Sequence, residues 1–210
     1  MELLPLIKPG ERATIAGRTG SGKSTLARWI LSRSPGHWII LNPKHTAAYA
    51  ALPDSNTVKG IDFKKIDRSL QEHKFTIVNP TGPQATPQNM DAFMEYIHEE
   101  YRSVGICADE LYTLHNNGRA GAGLLGWLTR GRELKQSFLG LTQRPAWVSQ
   151  FVFSECEYIG GMSLSLVDDR KRLVQMTGRE AYMDKLDPHV WLWYDVSADK
   201  LRKFGPVPAK

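Results

Sequence analysis

Short apolar runs alternate with amphipathic stretches over the first 145 residues of this 210-residue chain. The runs ERATIA (11–16), HWIIL (37–41), FTIV (75–78), VGICA (104–108) and FLGLT (138–142) predict strands. Between them, LARWILSR (26–33), FKKIDRSLQEHK (63–74), MDAFMEYIHEEYR (90–102) and LLGWLTRGRELK (124–135) carry apolar residues at helical spacing, the last weakened by its glycines. The strands are apolar without clean alternation, the mark of a mostly parallel central sheet covered on both faces by helices. Residues 43–73 are otherwise mixed, and YTLHNNGRAGAG (112–123) reads as a loop. After residue 145 come a short helical segment, a strand around YIGGMSLS (158–165) and a charged stretch VDDRKRLVQM (167–176). A short helix REAYMDKL (179–186) and a terminal β-hairpin of VWLWYDV (190–196) and LRKFGPV (201–207) follow. With no repeats or low-complexity linkers, the chain 1–210 reads as one α/β domain. Its core spans about 10–176, and a C-terminal helix and hairpin occupy 178–207.

Composition changes this picture little. Hydrophobic residues at 41% and charged residues at 23% are globular values. Two cysteines make no disulfide framework, and Cys107 lies inside an apolar run as a core residue, so a reducing compartment is expected. No apolar run approaches the ~18 residues of a membrane span, and MELLPLIKPGER (1–12) is not expected to be a signal peptide. The net charge of +5 mildly favours a polyanionic partner.

The chemistry begins at GRTGSGKST (17–25), which fits the Walker A pattern of a P-loop. Gly17, Gly20 and Gly22 allow backbone geometries that a Cβ would block, so successive N–H groups of Gly17, Arg18, Thr19, Gly20, Ser21 and Gly22 can face one concavity. The helix that follows adds its positive end. Lys23 is assigned to the β- and γ-phosphates, Ser24 to Mg²⁺ and Thr25 to the α-phosphate of ATP. At average residue usage, roughly one random chain in a hundred would match by chance. Here a strand precedes the loop and an amphipathic helix follows.

A P-loop needs a metal-binding acid at a neighbouring strand tip. VGICADE (104–110) offers Asp109 for Mg²⁺ and Glu110 to polarise an attacking water. A kinase must exclude water, so a second acid points to hydrolysis. In P-loop ATPases of the additional-strand (RecA-like) type, a further strand lies between those bearing the two Walker motifs and carries a polar residue at its tip. FLGLTQRP (138–145) fits that place. Gln143 is then a sensor of the γ-phosphate or the water, and Pro145, lacking an N–H, ends the strand.

Four stretches together resemble the FtsK–HerA superfamily of DNA-pumping ATPases. They are GRTGSGKST, IILNPK (39–44), RGRELKQSFLGLTQRP (130–145) and SLSLVDDR (163–170). The likeness covers residues 10–176 and departs at Asn42 and Asp169, where the family has Asp and Ser. Compact members of this length resemble the genome-packaging ATPases of tailless icosahedral double-stranded DNA viruses with internal membranes.

That resemblance implies a homo-oligomeric ring, a hexamer, that drives double-stranded DNA into a preformed capsid by Mg²⁺-dependent ATP hydrolysis. It implies capsid or membrane-vertex partners, and a place in the virion and host cytoplasm. It also implies an arginine donated in trans: Arg132 by its place in the Gly-Arg element, Arg130 as runner-up on the same expected helix, and Arg170 as a further interface candidate. DNA contacts are expected from Arg119 in the loop after the acidic pair and from Lys64, Lys65 and Arg68, gripping phosphates rather than bases. The alternative for each of these cations is a solvated surface charge. Trp29, Trp127, Trp191 and Trp193 sit in apolar patterns and read as core. The alternatives are a cellular or plasmid DNA pump of the same superfamily, a protein-export or assembly ATPase, and a small-molecule P-loop kinase.

Overall fold

The structure, a computed structural model, describes residues 5–116 and 118–208. The strands are β1 (Arg12–Ala16), β2 (His37–Leu41), β3 (Ser55–Lys59), β4 (Phe75–Asn79), β5 (Val104–Asp109), β6 (His115–Asn116), β7 (Arg119–Ala120), β8 (Ser137–Thr142), β9 (Tyr158–Gly161), β10 (Trp191–Asp195) and β11 (Lys200–Phe204). The helices are α1 (Lys23–Arg33), α2 (Phe63–Glu72), α3 (Pro87–Glu100), α4 (Ala122–Arg130), α5 (Gln150–Ser154) and α6 (Val167–Thr177).

Among the described residues a nine-stranded sheet runs in the order β11-β10-β9-β1-β8-β5-β2-β4-β3. From β9 to β3 every pairing is parallel, and the hairpin β10–β11 adds antiparallel strands at the β9 edge. The hairpin thus extends the sheet. No helix among the described residues is long and apolar enough to cross a membrane.

The missing alternation has a direct cause. Successive strand residues point to opposite faces, and both faces are dry. On β2, Trp38 and Ile40 join one buried cluster with Leu26, Ile30 and Tyr49, while Ile39 and Leu41 join the other with Phe93, Ile97 and Trp127. The first cluster lies under α1 and takes in Trp191 and Trp193 of the hairpin; the second includes residues of α2, α3, α4 and α6. Of the four tryptophans read as core, Trp127, Trp191 and Trp193 are buried, and Trp29 is half-buried against Trp191. Cys107 and Cys156 are both free and buried.

Helix boundaries follow capping chemistry. The Asp62 side chain accepts from Lys65 N ahead of α2, and Thr86 accepts from Asn89 N ahead of α3, which starts at Pro87. α6 stops at Gly178, whose φ of 67° is left-handed.

Several expectations are corrected. α4 ends at Arg130 instead of running to 135, and Gly131 N caps it on Trp127 O. Arg132 therefore does not share a helix with Arg130. The charged stretch 167–176 is a helix, because Asp169, Leu173 and Thr177 bury one side of it. The strand around 158–165 is confined to 158–161, and the helix expected over 179–186 is one 3-10 turn, Glu180–Met183. Residues 112–123 hold a 3-10 turn and the two-residue ribbon β6–β7 as well as loop, with residue 117 outside the described residues. β3 was hidden because SNTVK is a partly exposed edge strand with one buried residue, Val58.

β5 passes Trp38 so closely that a Cβ on Gly105 would come within 2.5 Å of the indole ring. Trp38 is 1% exposed and has no room to retreat. Gly105→Ala is expected to destabilise the protein by about 1–3 kcal/mol, read as a lower denaturant midpoint with an unchanged slope.

Candidate active site

Parallel strands deliver their C-terminal ends to one side of the sheet. β8 lies between β1 and β5, and β2 lies beyond β5. The loop after β1, Asp109 and Glu110 after β5, Gln143 after β8 and Lys44 after β2 therefore meet over four adjacent strand tips. They line a cavity of about 400 Å³ together with Thr46 and His189.

The loop 17–22 turns sharply beside the cavity. Gly20 and Gly22 have φ of 76° and 98°, which favour glycine. Gly17 N donates to Thr142 O at 3.0 Å and Arg18 N to Ser163 O at 2.9 Å, so the loop hangs from the ends of β8 and β9. α1 begins at Lys23 with its amino end toward the cavity. Lys23 is buried, and its Nζ donates to Arg18 O at 3.1 Å, folded over its own loop. Burial lowers its pKa; Glu110 and Asp109 act against that and Lys44 adds to it.

Ser24 Oγ stands 3.5 Å from Asp109 Oδ2, and the hydroxyl of Tyr49 donates to the same oxygen at 3.0 Å. Burial raises the Asp109 pKa above the ordinary carboxylate value, with the Tyr49 hydrogen bond pulling it down and Glu110 pushing it up. Burial also drives the Tyr49 phenol well up. No cluster of three or more His, Cys, Asp or Glu is arranged for a metal among the described residues. Ser24 and Asp109 fit Mg²⁺, which takes few protein ligands and completes its shell with phosphate and water. Held by these residues, it would supply positive charge against a bound phosphate.

Glu110 is 3% exposed and takes φ of 79°, a left-handed backbone that a glutamate adopts only where its surroundings hold it there. Its Oε1 accepts from Lys44 Nζ at 2.5 Å and from Gln143 Nε2 at 2.5 Å. The Thr19 hydroxyl in turn donates to Gln143 Oε1. One chain of polar contacts thus joins the P-loop, the tip of β8, the tip of β5 and the tip of β2. The strand FLGLT ends in glutamine because this tip faces the buried carboxylate.

Arg144 turns the other way. Its Nε donates to Asp169 at 3.0 Å, and its guanidinium lies 4.0 Å from the centre of the Trp147 ring. Asp169 is 1% exposed and also accepts from Ala146 N at 3.1 Å. An aspartate in place of the family's serine fixes the chain just past Gln143. Asn42, the other departure, donates to Asn79 at 2.9 Å and accepts from Thr46 N at 2.9 Å, bracing the loop that carries Lys44. A carboxylate at 42 could not donate to Asn79.

The remaining candidates lie apart. Arg132 pairs with Glu157, which also binds Arg12 at 3.1 Å at the start of β1. That is the end of β1 opposite the P-loop. Arg130 faces Glu99 at 3.5 Å. Arg170 lines a second cavity beside the P-loop with Arg18, Lys185 and His189, and donates to Met183 O at 2.9 Å. Arg119 is exposed on β7; on α2, Lys65 pairs with Asp62 and Arg68 with Glu72, and Lys64 is exposed. A larger cavity, about 750 Å³, lies by Tyr112, Trp147 and Arg172 and has no phosphate cradle. Sequence reasoning missed Lys44, Tyr49 and His189 in the site. IILNPK contained Lys44 without a role, while Tyr49 and His189 carried no local signal.

No protein-family model matches the chain. It is similar to the DNA packaging ATPase P9 of Enterobacteria phage PRD1, 27% identical over 210 residues, covering 94% of this chain and 88% of the relative. The resemblance to viral genome-packaging ATPases holds. Among solved structures, the genome packaging NTPase B204 of Sulfolobus turreted icosahedral virus 2 in complex with ATP-gammaS superposes with a TM-score of 0.76 at 16% identity, over 95% of this chain and 99% of that one. VirB4 of Thermoanaerobacter pseudethanolicus superposes at 0.70 and 11% identity, over 94% and 89%. These two likenesses establish the fold: a P-loop α/β architecture with a mostly parallel sheet.

Asp109 yields a stability prediction. An acid with a raised folded-state pKa costs stability while ionised and recovers it as pH falls through that pKa. Asp109→Asn is expected to raise the Tm of the nucleotide-free protein at neutral pH, by about 2–4 °C for each kcal/mol removed. The gain should shrink steadily as the pH is lowered toward the ordinary carboxylate value. Calorimetry across pH checks both parts.

Proposed function

We propose that this chain is an ATP-hydrolysing motor that drives double-stranded DNA into a viral capsid. The observation that carries the reading is the convergence of a Walker A loop, Asp109, Glu110 and Gln143 on one cavity, with β8 between the two Walker strands. That set binds a nucleoside triphosphate, places an acid for Mg²⁺ and puts a second acid where water can be activated. The likeness to packaging ATPase P9 supplies the polymer.

A P-loop kinase would need a lid carrying phosphate-gripping arginines, whereas Arg170 and Arg172 lie on α6, which is packed through buried Asp169 and Leu173.

Within the site, Lys23 leaves Arg18 O for the phosphates, and the loop amides hold the α- and β-phosphates. Ser24 and Asp109 would hold Mg²⁺, which would supply positive charge against the phosphates. Glu110 accepts a proton from water, and Gln143 orients that water against the γ-phosphate. Arg132 lies at the far end of β1 from its own P-loop, so it serves a neighbouring subunit's site in a ring, taken as a hexamer. Arg130 is the alternative. DNA phosphates are gripped by Arg119 and, secondarily, by Lys64, Lys65 and Arg68. Capsid or membrane-vertex proteins dock the ring.

Long linear double-stranded DNA is expected to stimulate ATP hydrolysis by the purified protein. Glu110→Gln should keep nucleotide binding and lose about 10²–10⁴-fold in turnover. Wild-type turnover in that variant would remove Glu110 from the chemistry, and hydrolysis indifferent to DNA would move the motor toward protein export. The ring makes a second prediction. Glu110→Gln and Arg132→Ala are each expected to be nearly inactive alone, and mixing the two proteins should restore partial activity by forming interfaces with both groups intact. No recovery on mixing would rule out Arg132 in trans.

A further inference from the structure

Glu110 is restrained in the nucleotide-free protein. Both of its hydrogen bonds fall on Oε1, from Lys44 and Gln143, while Oε2 is buried without a hydrogen-bond partner among the described residues. The pairing is unequal in burial: Glu110 is 3% exposed and the Lys44 side chain 45%. The acid is fixed in place and the cation has room to move. Lys44 also faces the same cavity as Asp109 and, from the opposite side of β5, as Lys23 and Ser24. Its loop is anchored at Asn42, which is 1% exposed, and at His45, whose Nε2 lies 2.9 Å from Pro80 O. The backbone under Lys44 is therefore held while its side chain is free to swing.

We propose that Lys44 is a phosphate-responsive counter-ion of Glu110, paired with the carboxylate in the empty site and transferred to the terminal phosphate when a nucleoside triphosphate binds. The physical reason is charge. A carboxylate offers one negative charge, whereas a terminal phosphate offers close to two and three acceptor oxygens. A nucleoside diphosphate ends at the phosphate that the loop amides already hold, so it leaves Lys44 on Glu110. The transfer takes the cation off Oε1 at the moment the γ-phosphate is in place, leaving the Gln143 contact, and a carboxylate without its counter-ion can then accept a proton from water. Gln143 reports the same event through Thr19 of the P-loop. Lys44 thereby becomes a direct substrate ligand and the device that confines hydrolysis to the loaded site. The inference rests on the ATPase reading above.

Calorimetric titration of Mg²⁺ with ADP and with a non-hydrolysable ATP analogue tests it, on the wild type, Lys44→Ala and Lys44→Arg. Lys44→Ala is expected to weaken the analogue at least about tenfold, the loss of one charge-assisted hydrogen bond, while ADP stays within about twofold. Lys44→Arg should recover part of the difference. In the nucleotide-free protein, Lys44→Ala should also lower Tm, and adding Glu110→Gln should restore it, because the buried charge has gone with its partner. Equal weakening of both nucleotides would show a merely structural lysine, and no change in either would show a solvated one; each overturns the proposal. A wild type that binds neither nucleotide would instead overturn the ATPase reading itself.

Discussion

The placement of β8 between β1 and β5 is the constraint on which the rest of this structure depends. Parallel strands present all their C-terminal ends to one side, so any residue following β1, β8, β5 or β2 is brought within one cavity's width of the others. Were β5 paired directly to β1, Gln143 would lie away from both Glu110 and Thr19. Inserted as it is, β8 gives up alternation for a strand buried on both faces, and every residue from Ser137 to Thr142 is buried. The apolar core that fixes the strand order and the polar cluster at the tips are two consequences of one arrangement.

That arrangement concentrates charge in a dry place. Lys23, Asp109 and Glu110 are all buried, and the structure offsets them with Tyr49, Lys44, Gln143 and Thr19. A left-handed Glu110 and two left-handed glycines hold the groups in position. Residues remote from the cavity stabilise this geometry. Asp169 ties down the chain after Gln143, and the Asn42–Asn79 pair ties down the chain before Lys44. Both are positions where the sequence departs from the pattern it resembles, and at both the side chain makes hydrogen bonds that brace the backbone.

Much of this was legible in the sequence because it is local. The P-loop is nine consecutive residues, the acids are adjacent, and the apolar runs that became β1, β2, β4, β5 and β8 are short and cleanly bounded. What escaped was set by tertiary context. Nothing near Tyr49 announces that its hydroxyl meets Asp109, sixty positions later. Polar β3 forms only because β4 presents an open edge. α4 ends at Gly131 although the helical pattern continued to Lys135, and the chain there passes so close to the Trp127 carbonyl that only a residue without a Cβ fits. Arg132 was named from its motif, but its position at the opposite end of β1 from the P-loop is visible only in the fold.

The most direct test of the account is a crystal structure of the protein with Mg²⁺ and a non-hydrolysable ATP analogue. The γ-phosphate is predicted between Lys23 Nζ and the tips of β2, β5 and β8, with Mg²⁺ beside Ser24 and Asp109. A triphosphate whose terminal phosphate points away from Glu110 and Gln143, or a nucleotide seated in the cavity by Tyr112 and Trp147, would contradict it.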